Sequence, residues 1–183
     1  QKGGHLVGFL GEGFNDVPAL KTANLSLVVE KGADISKENS DIVLTKKSLK
    51  IITEGIKEGR KIFANTTKYI KATLIANFGN FFALLGSSFM VNYLPLLPSQ
   101  ILLLNLLSDF PMVSISQDTV EKKELISPKK YQLKEIFILA TILGVISTIS
   151  DFTFFGIFAP FGEKTLQTMW FIGSVLTELV LIF

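Results

Sequence analysis

The chain has 183 residues, 48% of them hydrophobic, with 16 phenylalanines, no cysteine and a net charge of +2. Its mean hydropathy of +0.44 is too high for an ordinary soluble domain, whose surface needs more charge, so a membrane protein is expected. The charge balance gives no case for a nucleic-acid partner, since the lysines do not cluster with stacking aromatics, and the lack of cysteine excludes disulfides and thiolate metal sites.

The first twenty residues lack the basic start and apolar block of a signal peptide. They hold instead the stretch VGFLGEGFNDVPAL, in which an apolar strand (HLVGFL) meets a Gly-flanked acidic turn and then a helix opened by Pro18. α/β folds place ligand-binding carboxylates at such carboxyl ends of strands. Gly11 and Gly13 permit close backbone approach, and Glu12 and Asp16, four residues apart, can reach one Mg²⁺, with Asn15 as a donor to a phosphate oxygen. No Gly-Lys-Ser/Thr follows, so the turn is not a Walker loop. His5 is the only histidine and is expected to be a surface residue.

From Leu49 to about residue 70 there is no proline, and Leu49, Ile52, Ile56, Arg60 and Phe63 recur at helical steps. This predicts a cytosolic stalk helix, 49–70, after a first domain covering 1–48. Ala72 to Ser108 then contains no charged residue at all, far more than the roughly 20 residues that cross a bilayer once, and Pro95 and Pro98 interrupt it. A transmembrane domain is expected over 71–183, with spans at about 71–93, 99–117, 136–159 and 166–183. Lysines and arginines flank the first span on its stalk side and recur at 122–134, whereas only Lys164 lies on the other side. Residues 1–70 and the middle loop are therefore expected to be cytosolic, in a multi-pass protein of the cytoplasmic membrane.

A central Asp in a bilayer costs about 2.5 to 3.5 kcal/mol on insertion scales, so polar residues inside spans carry information. Asn77 and Asn80 lie on the first span; Asn105, Ser108 and Asp109 share one face of the second; Glu178 lies in the fourth. Their oxygens would suit a hard cation. Interhelical hydrogen bonding is the alternative for the asparagines, and the favoured reading of Asp151 near the outer end of the third span. The lysines of the 121–134 loop read as a solvated face touching lipid headgroups.

The segment GEGFNDVPAL closely resembles the GDGxNDxPAL signature of P-type cation-transporting ATPases, and GADISKENSDIVL, EGIKEGRKIFANTTKYIKATLIANFGNFF, LPSQILLLNLLSDF and MWFIGSVLTEL resemble the same family in the same order. Among its subfamilies the sequence looks most like the bacterial magnesium-transporting pumps. The resemblance implies the C-terminal part of a haloacid-dehalogenase-like α/β phosphorylation domain followed by an α-helical membrane domain. It implies ATP as substrate, an aspartyl-phosphate intermediate and catalytic Mg²⁺ held at Asp16 and Glu12, with Asn15 at the phosphoryl site and Gly11 and Gly13 shaping the loop. It also implies a transported cation held by Asn77, Asn80, Asn105, Ser108, Asp109 and, more loosely, Glu178. The position matching Asn80 is a carboxylate in calcium pumps, so a less anionic site is expected here.

Two departures stand out. Glu12 replaces the family Asp, adding a methylene to a metal ligand. Nothing matches the DKTGT phosphorylation loop, the nucleotide-binding domain or the helix with the Pro-Glu motif, so the chain reads as a piece that does not hydrolyse ATP by itself. The alternatives are a non-catalytic membrane remnant that binds or regulates a partner, or a pump for H⁺ or Ca²⁺.

Overall fold

The computed structural model describes residues 3–46 and 48–181, and they divide into two compact units, residues 1–58 and 59–183.

In the first unit, strand β1 (Gly8–Gly11) leads through a 3₁₀ turn (Phe14–Asp16) into helix α1 (Val17–Thr22). Strand β2 (Leu25–Val29), helix α2 (Asp34–Glu38) and strand β3 (Ile42–Leu44) follow. The sheet is parallel in the order β1-β2-β3, with Gly8 opposite Leu25 and Leu27 opposite Ile42. Each parallel step needs a crossover, which α1 and α2 supply. Leu20, Leu27, Val28, Val29 and Leu44 form the buried apolar set. Asp41 fastens β2 near β3: its Oδ2 accepts from both the backbone N–H and the hydroxyl of Ser26, each at 2.8 Å. Those bonds hold the Asp41 carboxyl below its ordinary range. The expected HLVGFL strand is shorter in the structure, because pairing with β2 begins only at Gly8.

Helix α3 (Leu49–Ser87) begins in the first unit and runs into the second without a break, so the stalk and the start of the first expected span are one element of 39 residues. It stops short of the expected residue 93. Ser87 and Ser88 donate their hydroxyls to the carbonyls of Leu84 and Leu85, at 2.7 and 2.6 Å. Such side-chain bonds compete with the helical ladder, and Pro95 then favours extended backbone before it.

Helix α4 (Pro98–Met112) starts with Pro98 in its first turn and with Gln100 Oε1 accepting the Leu97 N–H at 2.8 Å. Pro111 lies inside its last turn, and the chain continues as a 3₁₀ segment, Val113–Gln117. After the short α5 (Lys122–Ile126), α6 (Leu133–Phe158) and α7 (Glu163–Val180) complete the second unit. The reversal between them uses a 3₁₀ turn with Pro160 and then Gly162 at φ +97°, a left-handed value that glycine adopts without a Cβ penalty. As a result α7 begins three residues before the expected fourth span; residues 182 and 183 of that span lie outside the described residues.

Ala83, Leu96, Phe155, Leu166 and Trp170 form one buried cluster of this unit, and Ala72, Met112 and Ile115 another. Where α3 crosses α6, small residues allow close approach: a Cβ on Gly144 would lie 2.8 Å from Phe78 Cβ and 3.1 Å from the Gly79 nitrogen. Two helical stretches among the described residues are long and apolar enough to cross a membrane, Pro98–Gln117 and Leu133–Phe161.

Candidate functional site

The acidic turn of the first unit is built around Asp16. Its Oδ2 accepts the N–H groups of Glu12 and Gly13, both at 2.9 Å, and its own N–H donates to the Gly13 carbonyl at 3.0 Å. The Gly13 bond and then the Glu12 bond hold this carboxyl below its ordinary range, because both donors favour the charged form. A Cβ at Gly11 would come within 2.8 Å of Asp16 Cβ, which explains glycine there. The loop is also fastened from β2–α2: Ala33 N–H donates to the Glu12 carbonyl at 2.9 Å, and the buried Ser36 hydroxyl donates to the Gly13 carbonyl at 2.7 Å. Glu12 and Asn15 stand exposed on the same loop.

All five residues singled out in this turn thus share one short, braced loop. The supporting role of Ser36 was invisible in sequence, where it is simply a serine within GADISKENSD. The donors are carboxylate and amide oxygens, hard ligands that fit Mg²⁺, which is commonly bound by one or two carboxylates plus phosphate oxygens. Among the described residues no group of three His, Cys, Asp or Glu side chains is arranged to hold a metal. Glu12 and Asp16 are thus two carboxylates on one braced loop, oxygen donors of the kind Mg²⁺ takes.

The second candidate lies in the helical unit. Asn80 of α3 donates its Nδ2 to Glu178 Oε1 of α7 at 2.7 Å. Helix α4, which carries Ser108 and Asp109, packs against α7. Ser108 donates to the Leu104 and Asn105 carbonyls of its own helix, at 3.0 and 3.2 Å. Glu178 is 6% exposed and Ser108 4%, whereas Asp109 is exposed at the edge. Asn77 and Asn105 are exposed and make no side-chain hydrogen bond among the described residues, so the structure does not bring them to this cluster. The face shared by Asn105, Ser108 and Asp109 is split, with Ser108 alone turned into the packed interior.

The stretches 72–117, 136–162 and 165–181 contain three carboxylates, Asp109, Asp151 and Glu178, and no lysine, arginine or histidine. A buried carboxylate without a basic partner is costly.

Asp151 is only 5% exposed and accepts the Trp170 indole N–H at 2.8 Å. That contact agrees with the structural role expected for it. Trp170 and Glu178 are eight residues apart on α7, about 12 Å along the axis. Ser174 lies between them, buried, with a hydroxyl that has no hydrogen-bond partner. Sequence reasoning passed over Ser174, although its spacing of four residues before Glu178 puts it on the same helical face.

Residues 93–183 match the family described as cation transporting ATPase, C-terminus. The chain is 38% identical to the magnesium-transporting ATPase, P-type 1, of Salmonella typhimurium strain LT2, an alignment covering 100% of this chain and 21% of that protein. It is 37% identical to the protein of the same description from Escherichia coli K12, over 98% of this chain and 21% of the relative. It is 31% identical to a calcium-transporting ATPase of Bacillus subtilis strain 168, over 100% of this chain and 22% of that protein. The chain thus spans about a fifth of the length of the curated relatives it matches.

Proposed function

This chain belongs to the P-type cation-transporting ATPases, as part of their C-terminal region, and from that premise we propose that it serves an ATP-driven pump moving Mg²⁺ across the cytoplasmic membrane. The pump works through an aspartyl-phosphate intermediate, with the aspartate and most of the ATP site outside these 183 residues. Residues 1–48 are the end of a haloacid-dehalogenase-like phosphorylation domain, 49–70 a cytosolic stalk, and 71–183 a membrane domain of four spans.

In the phosphorylation domain Asp16 and Glu12 hold the catalytic Mg²⁺, which neutralises charge on phosphoryl oxygens when bound. Asn15 donates its amide to a phosphoryl oxygen, and Gly11 and Gly13 let the backbone come close. The two N–H bonds on Asp16 Oδ2 favour its ionised form, and its carboxylate would supply an oxygen ligand to the metal.

The observation that carries the reading is the hydrogen bond from Asn80 to Glu178 beside the helix that carries Ser108 and Asp109. Oxygen-bearing side chains of α3 and α7 meet there beside α4, in stretches whose carboxylates have no basic side chain to balance them. An amide at position 80 makes the site less anionic than a row of carboxylates would, which suits Mg²⁺, an ion that keeps several of its waters. Asn77 and Asn105, exposed on other parts of α3 and α4, contribute further oxygen donors to the cation path.

In the complete protein, Asp109→Asn is expected to abolish Mg²⁺-stimulated phosphorylation while expression is unchanged. Normal stimulation in that variant would remove Asp109 from the site. Two further readings rest on particular observations. The 31% identity to a protein named as a calcium-transporting ATPase keeps Ca²⁺ as an alternative cargo, and a membrane carboxylate such as Asp109 would equally serve H⁺. Glu12 in place of the family Asp favours a non-catalytic partner-binding role, which predicts no vanadate-sensitive turnover.

A further inference from the structure

Among the described residues of the helical unit, Ser174 is the buried hydroxyl left without a partner: it is 2% exposed, and its Oγ makes no hydrogen bond. The other buried hydroxyls of this unit, those of Ser87, Ser108 and Thr148, each donate to a carbonyl three or four residues earlier on their own helix. That back-bond is the local way for a serine or threonine inside a helix to satisfy itself. Ser174 does not make it, so a polar group stands unpaired inside an apolar bundle, where such a group calls for a role.

Its neighbours along the helix are already committed. One turn earlier, the Trp170 indole N–H goes to Asp151 at 2.8 Å. The Thr177 hydroxyl donates to the Ser174 carbonyl at 3.0 Å and not to its hydroxyl. One turn later stands Glu178, 6% exposed, on the same helical face and accepting the Asn80 amide at 2.7 Å.

A hydroxyl oxygen in line with a carboxylate suits one kind of occupant. Mg²⁺ takes one or two carboxylates and keeps several of its waters, and a water polarised by a metal ion is a strong hydrogen-bond donor. Carboxylate oxygen, ion, water and hydroxyl placed in line span about 7 Å, which suits two side chains one helical turn, about 6 Å, apart. Ca²⁺ binds carboxylates and carbonyls directly and depends less on a retained water. Building on the cation site of the proposed function, we propose that Ser174 is a specificity-determining residue of that site. Its hydroxyl accepts a hydrogen bond from a water that Mg²⁺ retains at Glu178, which favours Mg²⁺ over Ca²⁺ without adding charge.

The test takes the complete pump in detergent, without nucleotide, and compares the original with Ser174→Ala and Glu178→Gln. Isothermal titration calorimetry reads Mg²⁺ and Ca²⁺ binding, and thermal unfolding reads stability without either ion. Ser174→Ala is expected to weaken Mg²⁺ binding about fivefold, the effect of one hydrogen bond, and to change Ca²⁺ binding by less than about twofold. Its ion-free melting temperature should equal or exceed the original, because the hydroxyl has no partner to lose and alanine favours the helix. Equal weakening of both ions, or a lower ion-free melting temperature, would make Ser174 a structural residue and overturn the inference. Unchanged Mg²⁺ binding in Ser174→Ala beside weakened binding in Glu178→Gln would also overturn it, while leaving the cation site in place. Unchanged Mg²⁺ binding in Glu178→Gln, which keeps an acceptor for Asn80, would overturn the cation site itself and the role of Ser174 with it.

Discussion

Asn80 and Glu178, 98 residues apart in sequence, are joined by a hydrogen bond of 2.7 Å from the amide of one membrane-domain helix to the carboxylate of another. The donor is the group that satisfies a carboxyl only 6% exposed, and removing it leaves a buried acceptor unsatisfied. Asn80→Ala should therefore lower stability by about 1.5 to 3 kcal/mol, read by thermal unfolding in detergent. Asn77→Ala, one turn away on an exposed face, should stay within about 0.5 kcal/mol of the original. Equal losses in the two variants would argue against the different orientations of these asparagines.

The turn around Asp16 makes a pH prediction. Its carboxyl titrates below the ordinary 3.8 because it accepts two backbone N–H bonds. A group whose folded value is depressed contributes stability that is present above its unfolded value and is lost as pH falls through the folded value. The Glu12 and Gly13 amide resonances should thus keep their hydrogen-bonded positions down to about pH 4 and shift only in more acidic solution. Titration of Asp16 at or above its ordinary value would contradict the two bonds.

The crossing of α3 and α6 separates two glycines of one helix. Gly144→Ala puts a methyl 3.1 Å from the backbone nitrogen of Gly79, which cannot move aside as a side-chain tip could, and overpacking of this kind costs about 1 to 3 kcal/mol. Gly156→Ala meets nothing within 4 Å and should be neutral or stabilising by about 0.5 to 1 kcal/mol, through helix propensity. Thermal unfolding of the two variants side by side decides whether the close crossing is present.

Trp170→Phe keeps most of the ring packing against Phe155, whose centroid lies 4.7 Å away, but removes the N–H donor to Asp151. Loss of about 1 to 3 kcal/mol is expected, and Asp151→Leu in the same chain should recover part of it by removing the stranded carboxylate. A strictly additive double mutant would mean that the two side chains do not interact.

The proposed function makes Glu12 a ligand of the catalytic Mg²⁺. Glu12→Asp in the complete protein is expected to raise turnover, because the shorter carboxylate suits the octahedral geometry that Mg²⁺ demands. Turnover that is unchanged or reduced would mean that the loop, braced through Ser36 and Ala33, has been fitted to the longer side chain.

Much of this protein was legible in its sequence, and for a definite reason. The charge-free run from Ala72 to Ser108, the prolines that interrupt it and the spacing of the GEGFND turn are local properties. Local patterns fix solvent class, helix periodicity and the family likeness, since each depends on neighbours three or four residues away. Helix ends were less well marked: hydropathy extended the first span to residue 93, whereas the hydroxyls of Ser87 and Ser88 and the following prolines end α3 at Ser87. Polar residues inside apolar runs identified Asn77, Asn80, Asn105, Ser108, Asp109 and Glu178, but not which of them meet. That was decided by packing, because the rotation of each helix depends on residues distant in sequence, such as Gly79 against Gly144 and Phe154 against Gly173. The same packing buried Ser174 and turned Asn77 outward. Sequence alone determined which chemical groups the membrane must tolerate; tertiary structure decided which of them face one another, because burial acts on whole helix faces and no single stretch of chain encodes its partner.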